Sequence, residues 1–150
     1  MRKSVVTIVA VMCLSLAANA AEGMINVQSS FNVKETAERL LAVLEQKKMT
    51  LFVHVKHSEG AEKVGLPLCD TELVIFGNPK VGTPLMQCEQ SVAIDLPQKA
   101  LIWEDEKGSV WLSYNDPRYI EKRHDVSGCE AVIAKIEKAL AGITKAATAK

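Results

Sequence analysis

Apolar and polar positions follow two periods along this chain, and the switches between them mark out its elements. After Asn32, the residues Ala37, Leu40, Leu41 and Leu44 recur at helical spacing, with Glu38, Arg39 and Glu45 between them. That pattern predicts an amphipathic helix from about Val33 to Lys48, with Asn32 and Glu35 at capping-box spacing. From Thr50 to His57 the period drops to two, which predicts a strand. Leu51, Val53, Val55 and His57 then share one face, and Phe52, His54 and Lys56 the other. Leu73 to Phe76 are four apolar residues in a row, the pattern of a central strand buried on both faces.

Gly77, Asn78 and Pro79 break that strand. Thr83 and Pro84 have the character of an N-cap and first helical position, so a helix is expected from Thr83 to about Glu89. Val92 to Leu96 form a short apolar segment before Pro97. Lys99 to Glu106 and Ser109 to Asn115 predict a hairpin closed by Glu106-Lys107-Gly108. Asn115-Asp116-Pro117 is a turn that opens a helix over Arg118 to His124. Ser127 and Glu130 are a second capping-box pair, followed by a terminal helix whose stripe is Cys129, Val132, Ile133, Ile136, Leu140 and Ile143. Near the start, Ile25, Val27 and Phe31 fit an edge strand. The order of elements predicts an α+β fold, a single compact domain with a mixed, mainly antiparallel sheet and helices packed on it.

Residues 1–20 read as an address rather than as structure. Arg2 and Lys3 precede an apolar run from Val5 to Leu16, and Ala18-Asn19-Ala20 is a small-x-small cleavage site. The expected product is exported, periplasmic or secreted, with no membrane contact after cleavage. The expected boundaries are a signal peptide over 1–20, a lead-in over 21–30, the domain over 31–143 and a frayed tail over 144–150. Loss of Arg2 and Lys3 takes Lys+Arg from 18 to 16 against 18 Asp+Glu, a formal charge of about −2. No basic block and no aromatic-basic interleaving is present, so nucleic acid is not an expected partner.

Three cysteines stand outside the signal segment: Cys69, Cys88 and Cys129. An oxidising compartment and an odd count allow one intramolecular disulfide and one remaining thiol. A helix folding back along the strand before it would bring Cys88 toward Cys69, so Cys69–Cys88 is the expected pair. Cys129, on the apolar stripe, then reads as a buried thiol.

Polar side chains at predicted element ends define the candidate ligand site: His57, Asn78, Lys80, Thr83, Tyr114, Asp116 and His124. The loop from Gly77 to Thr83 offers backbone N–H groups, a helix N-terminus and Lys80, a combination suited to an anion. The structural alternative is that Gly77, Asn78 and Pro79 simply shape the turn. His54 and His57, three apart on a strand, face opposite ways and do not share an ion. No C-x-x-C or H-E-x-x-H spacing occurs, so neither a metal site nor a cofactor is assigned.

Phe76-Gly77-Asn78-Pro79-Lys80 with Gly82-Thr83-Pro84-Leu85-Met86 resembles the domain-of-unknown-function 302 family. Leu96-Pro97 with Leu101 to Asp105, Gly108 to Pro117, and Arg123-His124 resemble further segments of that family in the same order. The resemblance covers roughly Phe31 to Val126. Lys56 stands where the family commonly has an Asp before the equivalent of His57. The resemblance implies a compact α+β domain, a homodimer in some members, and no established enzymatic activity. The expected function is binding of a small ligand, an anion or a metal, by an exported homodimer. Two alternatives stay open: a disulfide-stabilised structural or redox module, and a hydrolase or lyase that uses His57 or His124 as base.

Overall fold

The computed structural model describes residues 21–150; the expected signal segment and its cleavage site lie outside the described residues. The elements run β1 Met24–Gln28, α1 Val33–Gln46, β2 Thr50–Lys56, α2 His57–Lys63, β3 Thr71–Gly77, α3 Pro79–Cys88, a 3-10 helix Gln90–Ile94, β4 Gln98–Glu104, β5 Val110–Asn115, α4 Pro117–Arg123 and α5 Glu130–Thr148. The fold is α+β, as the sequence predicts. The strands form one five-stranded sheet in the order β1-β5-β4-β3-β2. Every pairing is antiparallel, so the sheet is more uniform than the mixed one expected.

Strand periodicity decides which face is covered. On β3, Val74 and Phe76 are buried, while Leu73 and Ile75, which alternate with them, are half-buried. Val74 lies opposite Ala100, Ala100 opposite Tyr114, and Tyr114 opposite Ile25, so one inward row crosses four strands. Helices α1 and α5 pack against each other, and α1 crosses β3, β4 and β5 on this face. Leu40, Leu44, Ile133, Ile136, Leu140 and Ile143 supply the helical half of the core. Each such fully buried aliphatic side chain contributes about 1.5–3 kcal/mol relative to exposure. The continuous apolar run Leu73 to Phe76 therefore does not mark a strand covered on both faces, and β4 rather than β3 is the middle strand.

Three local expectations change. Asn78 and Pro79 already form the cap and first position of α3: Asn78 Oδ1 accepts from Lys80 N at 3.0 Å. The helix thus starts four residues before Thr83, and Pro84 lies inside it. Strand β2 carries a bulge between Leu51 and Val53 and ends at Lys56, so His57 opens α2 instead of closing the strand. The expected frayed tail is helical to Thr148, with Thr144, Ala147 and Thr148 buried. Its alanines favour helix, and Arg39 holds its last carbonyls, donating from Nε to Ala147 O at 3.0 Å and from Nη2 to Ala149 O at 2.8 Å.

The expected Cys69–Cys88 pair is not formed. Helix α3 lies in the helical layer against α5, away from the start of β3, so Cys88 meets Cys129 at the N-cap of α5. Their Cα atoms are 6.4 Å apart, within the reach of a disulfide. Cys69 is the free cysteine among the described residues, and it is exposed.

Candidate functional site

Where β3 runs into α3, the helical layer leaves a gap over the sheet. The result is a half-open pocket of about 280 Å³. Gly77, Asn78 and Pro79 form one corner. Val81, Gly82, Thr83 and Met86 of α3 form one wall, and Ile136, Ala139, Leu140 and Ile143 of α5 the other. Met49 and Phe52 close it from the side of β2, and Ala93, Leu96, Pro97 and Gln98 from the approach to β4. A Cβ at Gly77 would rest in ordinary van der Waals contact with the Phe52 ring and Pro97 at 3.5 Å.

The lining is apolar apart from Asn78, Thr83 and Gln98, and no charged side chain reaches it. Asn78 spends its oxygen on capping α3. Gln98 is different. It is only 9% exposed, it faces inward in phase with Ala100 and Ile102, and it lies opposite Phe76. Its carboxamide makes no hydrogen bond among the described residues. Nor is it sealed away, because the sole fully buried side-chain atom without a partner among the described residues is Asn26 Oδ1. Gln98 is one of the residues that line the pocket.

A second cluster lies on the other side of the same connecting segment. His124 Nε2 sits 2.7 Å from Asp95 Oδ2, and His124 Nδ1 sits 2.8 Å from Ser91 Oγ. Arg123 Nη1 donates to Asp95 Oδ1 at 3.0 Å. The order Ser-His-Asp is that of a nucleophile, its base and the residue that orients the base. The backbone N–H of Ser91, however, donates to Glu89 Oε1 at 2.9 Å. This bond holds the Glu89 carboxyl below its usual range. It also sets a negative charge against the Ser91 amide, where an oxyanion would need a free donor.

The seven candidate residues do not converge. Asn78 and Thr83 line the pocket. Lys80 is exposed on α3 and takes no part in the lining, and the one N–H best placed for an anion, its own, is bonded to Asn78. His57 follows Lys56, which pairs with Glu72, whereas Asn78 follows Gly77, which pairs with Thr50. The two therefore flank opposite ends of β3, roughly 20 Å apart at strand rise. Tyr114 is buried in the core, which pushes its phenol up, an effect partly opposed by the Thr144 hydroxyl. Asp116 caps α4 through Arg118 N at 2.9 Å, and His124 belongs to the Asp95 cluster. The seven residues expected to form one ligand site are thus spread over several parts of the fold.

A family model described as "Domain of unknown function DUF302" matches residues 25–143. The chain belongs to the DUF302 family. A solved structure described as an uncharacterized conserved DUF302 protein from Bacillus stearothermophilus shares the fold, with a TM-score of 0.75 at 21% identity. The match covers 85% of this chain and 99% of that one. A protein of Brucella suis named fluoride-specific ion channel FluC 1 is 46% identical over 104 residues, 69% of this chain and 41% of the relative. A Brucella melitensis protein named FluC 2 matches at the same identity over 38% of its length. The chain thus spans about two fifths of these relatives, and their name describes the whole proteins. Among the described residues of this DUF302 domain, no helix is long and apolar enough to cross a membrane, and no group of three or more His, Cys, Asp or Glu could hold a metal ion.

Sequence reasoning missed Gln98, Phe52 and the α5 wall of the DUF302 pocket. For Gln98 a signal existed: a polar residue in phase with Ala100 and Ile102 faces the core, where an amide needs a partner. The α5 wall had none, because Ile136, Leu140 and Ile143 look like any core stripe until the gap beside α3 is known.

Proposed function

We propose that this DUF302 domain binds a small, mainly apolar molecule in the pocket between α3 and α5. The observation that carries the reading is Gln98, a buried residue of the pocket lining whose carboxamide has no hydrogen-bond partner among the described residues. Ligand pockets characteristically combine apolar walls with a few placed polar groups. The volume of about 280 Å³ suits a ligand at the small end of that class. Native mass spectrometry of the full chain recovered from its own cell envelope tests this. A bound small molecule is expected on the wild type and absent from Ala139→Trp, whose indole fills the pocket from α5. Equal occupancy of both proteins would refute the assignment.

Export and homodimer formation are part of the same proposal. Support for a dimer comes from edge strand β2, where Leu51, Phe52 and Val53 are 48%, 51% and 46% exposed. Unpaired apolar edges are the usual place for a second strand to add.

A second reading, a serine hydrolase centred on Ser91, draws on the Ser91–His124–Asp95 chain. The Glu89 bond to the Ser91 amide weighs against it. A fluorophosphonate probe that labels Ser91 in the wild type and not in His124→Ala would favour hydrolysis. An unlabelled wild type would leave the cluster a purely structural tie.

A further inference from the structure

Resting on the pocket assignment above, we infer that the ligand is electrically neutral and carries one amide-like end, a hydrogen-bond donor beside an acceptor, that pairs with Gln98. Three observations lead there. First, none of the lining residues is charged, so a carboxylate, phosphate or ammonium entering the cavity would lose its hydration and find no counter-charge. The nearest candidate for an anion, Lys80, is solvent-exposed and outside the lining. Second, the available polar groups are graded by depth. Thr83 is exposed at the rim, Asn78 is half-buried with its oxygen already bonded, and Gln98 is the buried one. A molecule with one polar end and an apolar body matches that gradient.

Third, the chemistry of the buried group is specific. A glutamine carboxamide presents a carbonyl acceptor and an N–H donor side by side. A carboxamide or lactam presents the complementary pair and satisfies both at once. An alcohol satisfies one, and a hydrocarbon strands both. Leaving buried polar groups unpaired is what makes a hydrogen-bonding pocket reject an apolar isostere. The fit therefore discriminates twice, against charge by the apolar walls and against pure hydrocarbon by Gln98.

Benzamide, toluene and benzoate share a ring and differ only at this end, so they separate the terms. Binding to the purified full chain is measured by calorimetry, with the Gln98 side-chain N–H signals followed by NMR. Benzamide is expected to bind about five- to hundredfold more tightly than toluene, the net value of two matched hydrogen bonds, and to shift the Gln98 amide signals. Benzoate is expected to bind at least about tenfold more weakly than benzamide. In Gln98→Leu, and in Gln98→Met as a second packing-conservative variant, toluene is expected to overtake benzamide. Benzoate binding as well as benzamide overturns the inference, as does a benzamide-to-toluene ratio unchanged by both variants. In either case binding in the pocket still stands. Failure of all three probes to bind overturns the inference and the pocket assignment together.

Discussion

The segment from Glu89 to Gln98 builds two unlike regions on its two sides. On one side Ser91 and Asp95 hold His124, with Arg123 and Glu89 completing the set. On the other side Ala93, Leu96, Pro97 and Gln98 line the apolar pocket. The cluster is rich in chemically able groups, yet both histidine nitrogens and both Asp95 carboxylate oxygens already have partners. The pocket is poor in such groups, yet its buried amide has none. A polar network that satisfies itself ties elements together, here the 3-10 helix to the end of α4. A polar group left without a protein partner in a half-open cavity is available to a ligand. The density of titratable residues is thus a weaker guide to a site than the state of their hydrogen bonds.

The largest expected effect concerns the walls of the pocket. Cys88 closes α3 and Cys129 caps α5, so their bond ties the pocket's two helical walls across a separation of 41 residues. In the chain-entropy account, a loop of that length contributes about 4 kcal/mol. The double variant Cys88→Ala/Cys129→Ala is therefore expected to lose about that much in denaturant unfolding and to bind benzamide more weakly. Unchanged stability would mean that α3 is held by packing alone.

A smaller loss is expected on the cluster side. Asp95→Ala leaves His124 Nε2 and Arg123 without their acceptor, at an expected cost of about 1–3 kcal/mol. Its pocket affinity should stay near that of the wild type, because Asp95 is outside the lining. A loss of ligand binding equal to that of a pocket variant would show that the two sides are not independent.

The smallest effect is one of pH. Glu89 is held below its usual carboxyl range chiefly by the Ser91 backbone N–H, with the Ser91 side chain and the charge of His124 adding to it. A lowered folded-state value means the contribution is present above the ordinary glutamate range and is lost as pH falls through the folded value. Glu89→Gln should therefore be slightly less stable than wild type at neutral pH, converge with it below the folded value, and so show a flatter acid limb. Urea midpoints across the acid range check this, and an unaltered acid limb would contradict it.

Much of the fold was legible in the pattern of residues, because it depends on periods that the chain displays openly. The helix of Leu40 and Leu44, the hairpin around Gly108, and the alternation on β2 and β5 all come from local spacing. What was not legible depended on competition between neighbouring signals or on contacts far along the chain. Asn78-Pro79 and Thr83-Pro84 are both good helix starts, and nothing local shows that the first prevails. Cys88 has two candidate partners, and the choice rests on which layer α3 joins. The tail looked frayed because its alanines and lysines carry no apolar stripe of their own, yet Arg39, over 100 residues earlier, holds its end. The site was hard to read for a related reason. Sequence reasoning collected polar residues at element ends, and most of these are caps and ties, with Asn78, Asp116 and His124 the examples.

The central claim is that the space between α3 and α5 receives a small neutral molecule. Methyl-resolved NMR of the full chain during a benzamide titration addresses it directly. Saturable shifts are expected at Leu96, Ile136, Leu140 and Ile143, all of them abolished by Ala139→Trp. Shifts centred on Val53 and Val55 of β2, or none in this group at saturating benzamide, would contradict it.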